Sequence, residues 1–126
     1  MAVNVIISAR DGLVAILPHD EPIGTPAALP AGHVAYAESP ADAAIRTAFE
    51  VTGLVVEAAS CLGWYYGARD VFPDPGVTFM FEANAAGGML RDSAEGRARV
   101  FSLRDFPLIS PNRAGSTRTM RAFLAG

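Results

Sequence analysis

The stretch from residue 39 to residue 53 leaves this chain little freedom in how it folds. Ser39 can accept from the free N–H groups of a helix start, and Pro40 occupies the first helical position, where a missing N–H does no harm. Asp42 completes a capping box and faces the positive end of the helix dipole. Ala43, Ala44, Ile45, Ala48, Phe49 and Val51 carry the helix forward, and Gly53 is placed to end it in a left-handed conformation. A helix over residues 40–52 follows. Around it the pattern is that of strands. Val3, Val5 and Ile7 alternate with their neighbours. Arg10-Asp11-Gly12 then supplies a turn before a second apolar run at 13–17, and Asp-Gly favours the positive φ angles of a tight hairpin.

Residues 18–30 are broken by prolines and Gly24, which predicts a loop ending in a short extended piece at 28–30. Strands are expected at 54–58, 62–66, 77–82 and 98–103, with Val77, Phe79 and Phe81 on one face of the third. Small residues and a Gly-Gly pair at 83–88 are expected to interrupt the pattern, 71–76 to form a loop, and 104–107 a turn. A second helix is expected over 115–124, capped by Ser116 or Thr117. Strands on both sides of a central helix, with a further helix behind them, give a mixed α/β layered domain.

At 126 residues and 51% hydrophobic, the chain can build one core, so a single domain over 1–126 is expected. Ten Lys and Arg against thirteen Asp and Glu leave a formal charge of −3, which argues against a nucleic-acid polymer as partner. A small phosphorylated ligand stays compatible, because one pocket can be basic on an acidic protein. Cys61 is the one cysteine, so no intrachain disulfide forms, and a reducing cytoplasm is the expected location. No apolar run approaches the roughly 20 residues of a membrane helix, and 3–7 is too short for a signal-peptide core. The sequence leaves a homodimer open.

Residues 29–54 read LPAGHVAYAESPADAAIRTAFEVTGL. Within them Gly32, Glu38, Arg46, Ala48, Glu50, Gly53 and Leu54 stand at the spacing of the Nudix box: Gly, five residues, Glu, seven residues, then Arg-Glu-aliphatic-x-Glu-Glu-x-Gly-aliphatic. The chain here resembles the Nudix hydrolase family. That resemblance implies an α/β/α sandwich with a mixed β-sheet. It also implies Mg²⁺-dependent hydrolysis of a nucleoside diphosphate linked to another group, in which water attacks phosphorus while metal offsets the developing charge. Glu50, Arg46 and Glu38 would be the catalytic set, with Arg46 bracing the glutamates. Glu50 and the carbonyl of Ala31 would hold the metal, joined by a further carboxylate from Glu38, Glu82 or Glu95.

Two positions depart from the box. Thr47 and Val51 stand where the family has glutamates, and with Glu50 they are spaced i, i+3 and i+4 along one helix face. A hydroxyl is a poor ligand for Mg²⁺ and an isopropyl group is none, so any metal is expected to be weakly held or to depend on the substrate. Alternation along 62–66 places Trp64 and Tyr66 on one face, where they could stack a nucleobase or pack in a core or interface. Arg113, Arg118 and Arg121 could meet phosphate or form a solvated face. Ser8, Ser39 and Ser60 have no nucleophile-elbow setting, and no Cys/His spacing suggests zinc. Two functions result: a divergent hydrolase with an impaired metal box, or a binding or regulatory module of the same fold.

Overall fold

The computed structural model describes residues 1–17, 19, 27–66 and 76–102. In chain order these form β1 (Ala2–Ala9), β2 (Gly12–Leu17), β3 (Ala31–His33), α1 (Pro40–Thr52), β4 (Leu54–Val56), β5 (Ser60–Tyr66), β6 (Val77–Gly88) and β7 (Arg97–Ser102). The strands make one mixed sheet in the order β4-β6-β1-β2-β7, with β3 added to β1 and β5 to β6. β1 runs parallel to β6, from Ala2 opposite Thr78 to Ser8 opposite Asn84. Its pairings with β2 and β3 are antiparallel.

The largely apolar start of the chain, broken only by Asn4, suits a central strand covered on both faces, and Val3 through Ile7 are all buried. On one face Val3, Val5 and Ile7 join Val14, Ile16, Phe81 and Ala83 beneath Ala43, Ala44, Ala48 and Val51 of α1. Three alanines on the inner side of the helix let it lie close to the sheet. On the opposite face Ile6, Leu13, Ala15 and Met80 are buried as well. The second expected helix, 115–124, the expected turn at 104–107 and Arg113, Arg118 and Arg121 lie outside the described residues, as do residues 20–26 and 67–75. No helix among the described residues is long and apolar enough to cross a membrane.

Helix α1 starts and stops where its capping residues place it. The Asp42 N–H donates to Ser39 Oγ at 3.1 Å. Gly53 has φ 82°, and its N–H donates to the Phe49 carbonyl at 2.9 Å.

Elsewhere long-range contacts override the local pattern. Residues 83–88 do not interrupt the fold but continue β6 alongside β4, with Leu54 opposite Gly88 and Val55 opposite Gly87. At the end of the strand the helix terminus lies close by, and a Cβ on Gly88 would overlap the Gly53 carbonyl. In the β1–β2 hairpin the two-residue connection is Arg10-Asp11, and the positive φ falls on Arg10, at 55°. Gly12 is already in β2, opposite Ser102 of β7, where a Cβ would overlap the Phe101 carbonyl. The extended piece before the helix falls at 31–33 instead of 28–30, with Ala28 making an isolated bridge to Ile16. β4 ends at Val56, two residues short of the expected limit.

Candidate functional site

β3 leaves the sheet at His33 and returns to the helix through a turn at Tyr36-Ala37, where Ala37 takes a left-handed φ of 64°. The turn is closed from both sides: the Glu38 N–H donates to the Ala35 carbonyl at 3.1 Å, and the Ala35 N–H donates to Glu38 Oε1 at 3.0 Å. That fixes the Glu38 carboxylate in front of α1, where Arg46 meets it with two parallel bonds. Arg46 Nε donates to Oε2 and Nη2 to Oε1, each at 2.9 Å. Nη1 reaches one turn further, to Glu50 Oε2 at 2.9 Å, and Nη2 also donates to the His33 carbonyl at 2.7 Å.

One guanidinium therefore ties β3, the turn and the helix together. The bidentate pairing with Arg46, reinforced by the Ala35 N–H, holds the Glu38 carboxyl down at about 2. The same pairing raises Arg46 further above its already high value. Two carboxylates against one guanidinium give the cluster a formal charge of −1.

The remaining box positions divide between inside and outside. Thr47 is 1% exposed and Val51 6%, and Val51 belongs to the apolar core. Thr47 packs onto Gly32 of β3 so closely that a Cβ there would overlap its hydroxyl oxygen. That oxygen, Oγ1, is buried and has no hydrogen-bond partner among the described residues. Glu50 points the other way, its side chain 57% exposed. Ala31 sits in β3 opposite Asn4. Glu95 is exposed in the turn between Ser93 and Gly96, its N–H donating to Ser93 Oγ at 3.1 Å. Glu38, Arg46 and Glu50 thus come together, while no three or more His, Cys, Asp or Glu among the described residues gather into a group able to hold a metal.

Trp64 and Tyr66 lie on β5 and are 67% and 66% exposed. Trp64 stands opposite Phe79 of β6 and Tyr66 opposite Val77. Residues directly opposite in a ladder project to the same face. Phe79 packs against the core beneath α1, so both exposed rings lie on the helix side of the sheet. Sequence reasoning passed over two participants: the His33 carbonyl, which takes up a further Arg46 donor, and the Gly32–Thr47 contact. The guanidinium's five donors signal that a third acceptor is needed. Nothing in the spacing of 32 and 47 announces their contact.

The NUDIX domain family matches residues 1–123. The chain belongs to the NUDIX domain family. No curated protein matches this NUDIX domain by sequence. Solved structures that resemble it share the fold. A MutT protein from Bacillus halodurans superposes with TM-score 0.78 at 19% identity, covering 99% of this chain and 82% of that one. A UDP-X diphosphatase superposes at TM-score 0.76 and 18% identity, over 95% of this chain; the NUDIX domain spans 58% of that protein's length. The NUDIX domain of Shewanella oneidensis NrtR, in complex with ADP ribose, gives TM-score 0.71 at 16% identity over 98% and 86% of the two chains.

Nudix hydrolases generally use a divalent metal such as Mg²⁺, and this NUDIX domain's donor set does not fit a resident one. Magnesium requires about six oxygens in tight octahedral array. Here one helix position offers a hydroxyl sealed behind Gly32, another an isopropyl group in the core, and both remaining carboxylates are paired to Arg46.

Proposed function

We propose that this NUDIX domain is a binding module for a small nucleotide-type phosphorylated ligand, without metal-dependent turnover of its own. The observation that carries the reading is the inward placement of Thr47 and Val51, which gives two positions of the box to packing and leaves Glu50 paired with Arg46. The ligand class is supported by the similar structures: one acts on UDP-X, and another is a NUDIX domain seen with ADP ribose. Both are nucleoside diphosphates joined to a further group. A cytoplasmic setting is consistent with exposed Cys61, which remains a free thiol there.

A second reading, a divergent hydrolase of nucleoside diphosphate derivatives, is favoured by Glu50 itself. Its side chain is more than half exposed and only Oε2 is engaged by Arg46, so a cation arriving with the substrate's phosphates would meet one accessible carboxylate oxygen. The experiment that separates the readings incubates the protein with ADP-ribose and UDP-sugars, with Mg²⁺ or Mn²⁺, while calorimetry follows binding in parallel. Binding without release of nucleoside monophosphate is the expected result. Metal-dependent release that disappears in Glu50→Gln would overturn the module and establish the hydrolase.

A further inference from the structure

We infer that Trp64 and Tyr66 form an open slot for one flat heteroaromatic ring, a nucleobase, which enters between them on the helix side of the sheet. The inference rests on the nucleotide-type ligand proposed above and gives that ligand's base a place. Residues two apart on a strand face are separated by about 6.6–6.8 Å. A stacked aromatic base occupies about 3.4 Å of thickness. Two side chains at this spacing, turned across the strand, therefore leave room for a single ring with one aromatic face on each side of it. The exposures, 67% and 66%, show that neither ring is covered by the other or by the core.

Two further features favour a ring over a second copy of the chain. The aromatic pair stands on the face of β5, not along its edge. The edge itself is irregular, because the register with β6 shifts between Cys61 and Gly63 and leaves Leu62 as an extra residue. A bulge of this kind bends an edge strand and blunts its capacity to accept another strand. The Glu38–Arg46–Glu50 cluster, with its net charge of −1, gives a bare phosphate no net attraction. Affinity is accordingly assigned to stacking, which tolerates any base and favours the larger purines.

Trp64 is the chain's one tryptophan, so its emission reports on this slot alone. The full chain, kept in EDTA, is titrated with adenosine, AMP and ribose 5-phosphate while Trp64 fluorescence and calorimetric heats are both recorded. Adenosine and AMP should change the emission saturably, and ribose 5-phosphate, which has no base, should not. Tyr66→Leu should weaken AMP by roughly five- to a hundredfold, and Tyr66→Phe should keep the wild-type affinity. Heat from AMP with silent Trp64 emission and an unaffected Tyr66→Leu variant would overturn the slot while the nucleotide reading stands. Absence of heat with every probe would overturn both. Emission that follows protein concentration instead of ligand would overturn the slot by making the pair a self-association surface.

Discussion

Adding one methyl group at Gly32 drives a wedge between β3 and α1. The new Cβ would overlap Thr47 Oγ1 and lie 3.2 Å from its Cγ2 and 3.3 Å from its Cβ. Gly32 does not have a positive φ, so alanine meets no backbone strain and the clash stands alone. Overpacking of this kind costs about 1–3 kcal/mol, offset by about 0.4–1 kcal/mol because alanine reduces the freedom of the unfolded chain. A net loss of about 1–2 kcal/mol is expected for Gly32→Ala. Thr47→Ala removes Oγ1 and Cγ2 together. Its lost methyl contact is countered by relief of a buried hydroxyl without a partner, so that variant should stay within about 1 kcal/mol of wild type. In the double variant the methyl at 32 enters the space vacated at 47, and the two changes should couple favourably by about 1–2 kcal/mol. Urea unfolding of the four proteins, with unchanged m-values, reads the cycle directly. Strict additivity would mean that Thr47 does not seat the helix on Gly32, and the account of the inward-turned box would fail with it.

Ala37→Gly should stabilise the protein by about 0.5–1 kcal/mol, because a left-handed φ of 64° costs an L-residue more than glycine loses in unfolded-state entropy; a lower melting temperature would contradict this. Glu38 also carries a pH signature. Its carboxyl is held at about 2 in the folded protein against an ordinary 4.5, so the stability it contributes is complete above 4.5 and is lost as pH falls toward 2. The gap in melting temperature between wild type and Glu38→Gln should therefore narrow across that window, and a gap independent of pH would show that Arg46 does not hold the ionised carboxylate.

Local chemistry was legible wherever the deciding contacts are local. Ser39, Pro40, Asp42 and Gly53 act within one turn of themselves, and the helix they delimit is the helix observed. Glu38 and Arg46 were placed together through the resemblance of the box, and the structure joins them by two bonds. Contacts across the chain were not legible. The i, i+3, i+4 spacing puts Thr47, Glu50 and Val51 on neighbouring helix positions, yet where the sheet lies decides which of them face water. β3 covers Thr47, the core takes Val51, and Glu50 alone stays outside. The small residues at 83–88 carry the marks of a break when read alone. Only the approach of Gly53 and β4 shows why the strand has to end on a glycine at 88.

The parallel pairing of β1 with β6 joins Ala2 to Thr78, 76 positions later in the chain. A ribosome adding about 5–20 residues per second needs roughly 4–15 s to supply that partner. During this interval Val3–Ile7, buried throughout in the finished sheet, has only its antiparallel neighbours β2 and β3 for company. The hairpin and the capped helix are complete long before, so the nascent chain carries a half-built sheet with one exposed, sticky margin. Crowded synthesis, more than the stability of the finished domain, is the stage at which this architecture is most open to aggregation.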